Sequence, residues 1–98
     1  MKMAVIFQSE AQTEFEEARD WYRRERVILG REFVAAVRHV LNEISKHPTR
    51  FPIALGDVRH ISVSRFPYCV YYFIDQKTVV IVAVIHTSRD PSVWQKRI

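Results

Sequence analysis

Residues 59–91 run RHISVSRFPYCVYYFIDQKTVVIVAVIHTSRDP. Two runs rich in β-branched and aromatic residues, Tyr68–Ile74 and Thr78–His86, flank the polar break Asp75-Gln76-Lys77, which predicts a β-hairpin. Val79–Ile85 is apolar at every position, so that strand should be central, or covered on its second face by something else. Upstream, Val58–Ser64 alternates. Ile61 and Val63 share a side with Arg59 and Arg65 at the ends of the row, and His60, Ser62 and Ser64 take the other, predicting a strand with one wet face. Pro67 marks a kink or a sheet edge. The middle of the hairpin is packing; its ends carry basic side chains and His86, and these are the candidates for function.

The rest of the chain is expected to pack on this hairpin. Met3–Phe7 is too short for a helix and predicts a strand. Ser9 opens a helix, its hydroxyl capping the first turn and Gln12 reaching back, as in a capping box. Ala11, Phe15, Ala18 and Tyr22 form one apolar stripe with Trp21 beside it, and Asp20–Arg24 supports the charged face. The pattern breaks between Glu25 and Gly30. A second helix follows to about Lys46, with Leu29, Phe33, Val37, Val40 and Ile44 as its stripe, widened by Ala36 and Leu41, and Pro48 as its stop. The short link makes the two helices an antiparallel hairpin. His39 lies beside the stripe with no metal-binding spacing around it. Residues 47–57 predict a loop with Phe51 and Leu55 tucked onto the helices, and Asp90-Pro91 begins a last turn from which Trp94 packs back. Two helices cover one face of the sheet; the C-terminal segment, the long loop or a partner protein must cover the other. The fold class is α+β: an N-terminal strand, then an antiparallel two-helix hairpin packed on a small, mainly antiparallel sheet, with the place of the first strand left open.

The 98 residues predict one domain, 1–98, and the apolar fraction of 48% excludes a disordered chain. A single cysteine, Cys69, excludes an internal disulfide and fits a small buried core residue. The longest apolar run is too short to span a bilayer, so a soluble cytoplasmic protein is expected. Residues 1–46 hold eight basic and eight acidic side chains, so the net charge of +4 belongs to the second half. That asymmetry points to an acidic or polyanionic partner.

Val58-Arg59-His60 leading into Arg65-Phe66-Pro67-Tyr68, then Ala83-Val84-Ile85-His86-Thr87-Ser88-Arg89-Asp90-Pro91 with Trp94, resembles the RelE/ParE toxin superfamily of type II toxin–antitoxin (plasmid stabilisation) modules. The resemblance covers essentially the whole chain and is closer to the ParE branch, in the RFPY strand and the H-x-x-R-D-P ending. It implies two N-terminal helices on a small antiparallel sheet, no cofactor and no metal. It also implies a cognate antitoxin whose acidic, apolar segment folds onto the hairpin and the groove beside the helices, giving a toxin–antitoxin hetero-oligomer. On the ParE side it implies inhibition of DNA gyrase by binding, with Arg59, Arg65, His86, Arg89, Trp94 and Arg97 as docking residues. On the RelE side it implies a metal-independent, ribosome-dependent mRNA endonuclease, for which Arg59, Arg65, His86 and Arg89 are the catalytic candidates. The late tyrosine of such nucleases is missing, since the last tyrosine is Tyr72. A non-catalytic RNA-binding domain is a third alternative, although no aromatic RNP-like strand or GXXG loop is present.

Overall fold

In the structure, a computed structural model describing residues 2–98, the doubly apolar strand is the centre of the sheet. Strands β1 (Ala4–Phe7), β2 (Ile53–Leu55), β3 (Val58–Ser62), β4 (Tyr68–Asp75) and β5 (Thr78–His86) lie in the order β1-β5-β4-β3-β2. β1 fills the open place beside β5, in parallel, with Ala4 opposite Thr78, and all other pairings are antiparallel. The β4–β5 turn is tighter than the three-residue break suggests, because Asp75 pairs with Thr78 and Gln76 takes a left-handed φ of 56°. Tyr71 faces Ala83 but Tyr72 faces Ile81, so Val82 is an extra residue in β5, a β-bulge. The bulge shifts the alternation of the strand: Ile81 and Val84 face one core, whereas Val82, Ala83 and Ile85 face another.

Helices α1 (Ser9–Glu25) and α2 (Val27–Lys46) cover the first face. Ala11, Ala18, Phe33, Val37, Val40 and Ile44 are buried against Val70, Tyr72, Val79, Ile81 and Val84, as their periodicity requires. Leu41 and Phe51 pack on this core from its margin. Ser45, the one buried polar residue among the described residues, donates its hydroxyl proton to the Met3 carbonyl and ties the start of β1 to the end of α2.

Several local expectations are corrected. The capping box does not form. The helix does open at Ser9, but Gln8 holds the cap position and its N–H continues the strand pairing to the Ile81 carbonyl, so Ser9 is the first helical residue and not the cap. The Ser9 hydroxyl turns to Glu10, and Gln12 donates to Glu16. Asp20 pairs with Arg19 and Arg23. The break between the helices is a single extended residue, Arg26 (φ −157°, ψ 139°), and Gly30 lies inside α2. There it serves close approach: a Cβ on Gly30 would sit 2.9 Å from the Arg23 Cβ. His39 is exposed. Leu55 is 47% exposed, because the loop forms the outermost strand β2 and presents that side chain to solvent.

The second face of the sheet is covered by the C-terminal segment. Helix α3 (Ser92–Gln95) brings Trp94, 1% exposed, onto Val58, Val82, Ala83 and Ile85, with Tyr71 stacked on the indole at 4.7 Å. The His60 side of β3 is therefore not fully wet. Val58 is buried, and His60 is half-buried with its ring stacked on Tyr71 at 5.8 Å.

Candidate functional site

The hairpin register brings Tyr68, the first residue of β4, opposite His86, the last of β5, and the two rings meet edge to face at 5.4 Å. Two neighbouring segments enter the same end of the sheet. The β3–β4 connection carries Arg65 at a left-handed φ of 71°. A non-glycine residue there stores about 1–2 kcal/mol of strain. The conformation is imposed from both sides: Phe66 is buried against Tyr22 and Phe33 at 4.9 and 5.3 Å, and the Val63 N–H closes on the Tyr68 carbonyl at 2.9 Å. With Phe66 anchored, the Arg65 side chain turns outward and meets Glu32 of α2 at 2.7 Å, in an exposed ion pair.

The second segment follows β5. Thr87 N–H bonds to the Pro67 carbonyl and Arg89 N–H to the His86 carbonyl, closing a turn. Within it, the Ser88 N–H and hydroxyl both lie on His86 Nδ1, at 3.1 and 2.8 Å. Asp90 accepts from the Ser92 N–H at 2.9 Å, a bond that holds its carboxyl below the usual range. Arg89 is half exposed and its guanidinium is 3.9 Å from Glu14.

Arg65, His86 and Arg89 thus line one end of the sheet. The other sequence-predicted residues are placed elsewhere. Arg59 lies opposite Tyr72, and four residues along the strands and two strand spacings put it about 16 Å from His86. Its guanidinium donates to the Thr49 and Phe51 carbonyls at 3.2 and 2.7 Å, and Tyr72 donates its hydroxyl to the Pro48 carbonyl at 2.6 Å. Together these pin the loop after α2 to the sheet. Arg97 is nearly buried. It grips Glu14 with two nitrogens, at 2.9 and 2.8 Å, and donates to the Val82 carbonyl at 3.1 Å. Glu14 in turn accepts the Val84 N–H at 3.0 Å. The pair caps the edge of β5 where the shorter β1 has ended: Val82 and Val84 would otherwise face no strand. Burial in the core occupies Trp94, whose Nε1 has no partner.

Tyr68 is a member of this end that sequence reasoning missed. Burial pushes its phenol above the ordinary value, with Tyr22 adding to the shift and Arg89 opposing it. The RFPY motif carries the signal, because its tyrosine is the first residue of the strand that pairs with β5. Cys69 is buried beside His60, Sγ to Nδ1 3.7 Å, and burial raises its thiol. Among the described residues no group of three His, Cys, Asp or Glu could hold a metal, and no helix is long and apolar enough to cross a membrane.

A second feature lies on the solvent side of the helix hairpin. Arg19 and Arg23 of α1 and Arg31 and Arg38 of α2 border a groove of about 680 Å³ whose floor is Val27, Gly30, Val34 and Ala35. From residue 27 to residue 38 the groove follows α2 for about 16 Å, three helical turns.

Residues 5–91 match the family model for the ParE toxin of the type II toxin–antitoxin system parDE. No curated protein is a significant sequence match to the chain. Several solved structures share the fold, three of them as follows. A toxin chain of the chromosomal ParDE system from P. aeruginosa is 15% identical, with TM-score 0.70 over 87% of this chain and 96% of that one. One from the RelBE2 toxin–antitoxin complex of Mycobacterium tuberculosis is 23% identical, with TM-score 0.61 over 88% and 92%. A variant of E. coli toxin RelE in the free state is 19% identical, with TM-score 0.65 over 100% and 99%. The strand, helix hairpin and five-stranded sheet are the RelE/ParE-like α+β fold, and the match across residues 5–91 places the chain in the ParE toxin family of type II toxin–antitoxin systems.

Proposed function

We propose that this cytoplasmic, single-domain toxin (residues 1–98) inhibits DNA gyrase by binding it, and that a cognate antitoxin silences it. The observation that carries this reading is the dispersal of the cationic side chains. Cleavage of RNA needs a base, an acid and cations converging within about 3 Å of one phosphate. Here Arg59 is committed to loop carbonyls and Arg97 to Glu14, which leaves Arg65, paired with Glu32, and His86 and Arg89 on the rim at one end of the sheet. A rim of donors suits docking on an acidic protein surface. Within it, Arg65, His86 and Arg89 contact the target, while Arg59, Trp94 and Arg97 hold the loop, the second core and the β5 edge beneath it.

A ribosome-dependent endonuclease is the second reading, favoured by the Tyr68–His86 contact beside Arg89. Expression of the chain alone in a bacterium separates the two. Filamentation, a DNA-damage response and loss of supercoiling activity by purified gyrase are the expected result. Rapid translation arrest with codon-specific mRNA cuts would assign the nuclease instead.

The antitoxin reading is supported by the arginine-bordered groove. Its apolar floor and the guanidinium groups of Arg31 and Arg38, beside Arg19 and Arg23 that share Asp20, complement an acidic amphipathic helix of about three turns, and a second copy of this chain would bring like charges together. Arg31→Glu with Arg38→Glu should weaken antitoxin binding at least tenfold, by about 1.4 kcal/mol or more, in a titration with the neighbouring gene product.

A further inference from the structure

The imidazole of His86 is held in one protonation pattern. A main-chain amide can only donate, so the Ser88 N–H at 3.1 Å requires a lone pair on Nδ1, and the ring proton sits on Nε2. The Ser88 hydroxyl, 2.8 Å from the same nitrogen, then donates as well. The Ser88 amide is not free to turn away, because Thr87 N–H is bonded to Pro67 and Arg89 N–H to His86 on either side of it. Tyr68 fixes the plane of the ring by packing edge to face at 5.4 Å. The Nε2–H has no partner among the described residues, and Arg89, also a pure donor, follows three residues on.

We propose that Ser88 is a positioning residue that keeps His86 as a hydrogen-bond donor through Nε2–H, and that this donor, with the Arg89 guanidinium, takes a carboxylate of the target protein. This rests on the docking reading above. Both groups can only donate, so their ligand must accept, and a carboxylate is the protein acceptor that also satisfies a guanidinium's charge. The same geometry denies His86 the role of general base, since the lone pair such a base needs is occupied by Ser88.

The test has two arms. Long-range ¹H–¹⁵N spectra of the free protein at about pH 8, where an ordinary histidine is neutral, report which ring nitrogen carries the proton. Nε2–H is expected in the wild type and also in Ser88→Ala, which loses the hydroxyl but keeps the main-chain amide. In the second arm, His86→Gln restores an amide N–H near the Nε2 position, whereas His86→Ala restores nothing. Inhibition of purified gyrase should fall at least about tenfold in His86→Ala, the cost of a charge-assisted hydrogen bond, and recover most of that in His86→Gln. A wild-type Nδ1–H tautomer overturns the proposal, and so does a His86→Gln variant as weak as His86→Ala. If gyrase is untouched, the same two variants are compared by growth arrest. That outcome sinks the gyrase reading alone, and the donor role still stands or falls on the Gln-to-Ala ratio and the tautomer.

Discussion

Glu14→Ala is the substitution whose cost the structure specifies most fully. The carboxylate accepts the Val84 N–H at 3.0 Å and two Arg97 nitrogens at 2.9 and 2.8 Å, and both side chains are nearly buried, 11% and 15% exposed. Removing it strands a main-chain donor, worth about 1–3 kcal/mol, and leaves a guanidinium without its partner, worth about 3–5 kcal/mol. The two losses share one carboxylate and one cavity, so they overlap, and a total of about 4 kcal/mol is expected. A domain of this size has about 5–15 kcal/mol in all, and the loss corresponds to about 16 °C or more in Tm. Glu14→Gln keeps an acceptor for Val84 and loses the charge, so it should cost about half as much. The assay is urea denaturation followed by circular dichroism on wild type, Glu14→Ala, Arg97→Ala and the double variant. The coupling energy from that cycle should reach about 2 kcal/mol. A Glu14→Ala cost below about 1 kcal/mol, or additive single losses, would refute the idea that this pair caps the β5 edge.

Trp94→Ala should cost about 3–5 kcal/mol by emptying the second core, and the emission of the remaining, half-exposed Trp21 in the folded variant should be red-shifted relative to the wild type. Tyr72→Phe loses only the bond to Pro48 and should cost about 1 kcal/mol, with faster amide exchange confined to the loop after α2. Burial raises the Cys69 thiol above its ordinary value of 9.0 and the Tyr72 phenol above 10.0. The folded protein therefore holds these protons more tightly than the unfolded chain. The stability they contribute is complete below pH 9 and is lost as pH rises past the unfolded values toward the folded ones. A denaturation series from pH 7 to 11 should show that decline. A flat profile would contradict it, as would a Cys69 that reacts with a disulfide reagent in the native protein as fast as a free thiol.

The layers of the fold were legible because burial leaves its signature in composition. An unbroken Val79–Ile85 required a central strand or a cover on its second face, two amphipathic stripes required a helical layer, and a late Trp94 beyond Pro91 had a face to cover. What stayed hidden depends on distance in space. Gly30 looks like a chain break in sequence, and only the closeness of Arg23 gives it a place inside a helix. The capping box at Ser9 failed because sheet pairing claimed Gln8 first. Of the candidate site residues, Arg65, His86 and Arg89 gather at one end because His86 ends β5, Arg89 lies in the turn after it and Arg65 in the β3–β4 connection, an order the sequence does indicate. Arg97 and Glu14 are 83 residues apart, and no local pattern could have joined them. The Val82 bulge, beside the edge they cap, is likewise invisible in a run where every residue is apolar.

The parallel pairing of β1 with β5 has a consequence for the chain as it is made. The first strand has no neighbour in the sheet until the last strand emerges, and the Val84–Glu14 and Arg97–Glu14 bonds close over 70 and 83 residues. A nascent or truncated polypeptide ending before Arg97 therefore lacks, in turn, the edge cap, the second core and then the central strand itself. His86 and Arg89 are presented only when that strand is seated between β1 and β4. Growth inhibition should thus switch on late and all at once in a series of lengthening chains, so that incomplete translation products of a harmful protein are harmless by construction.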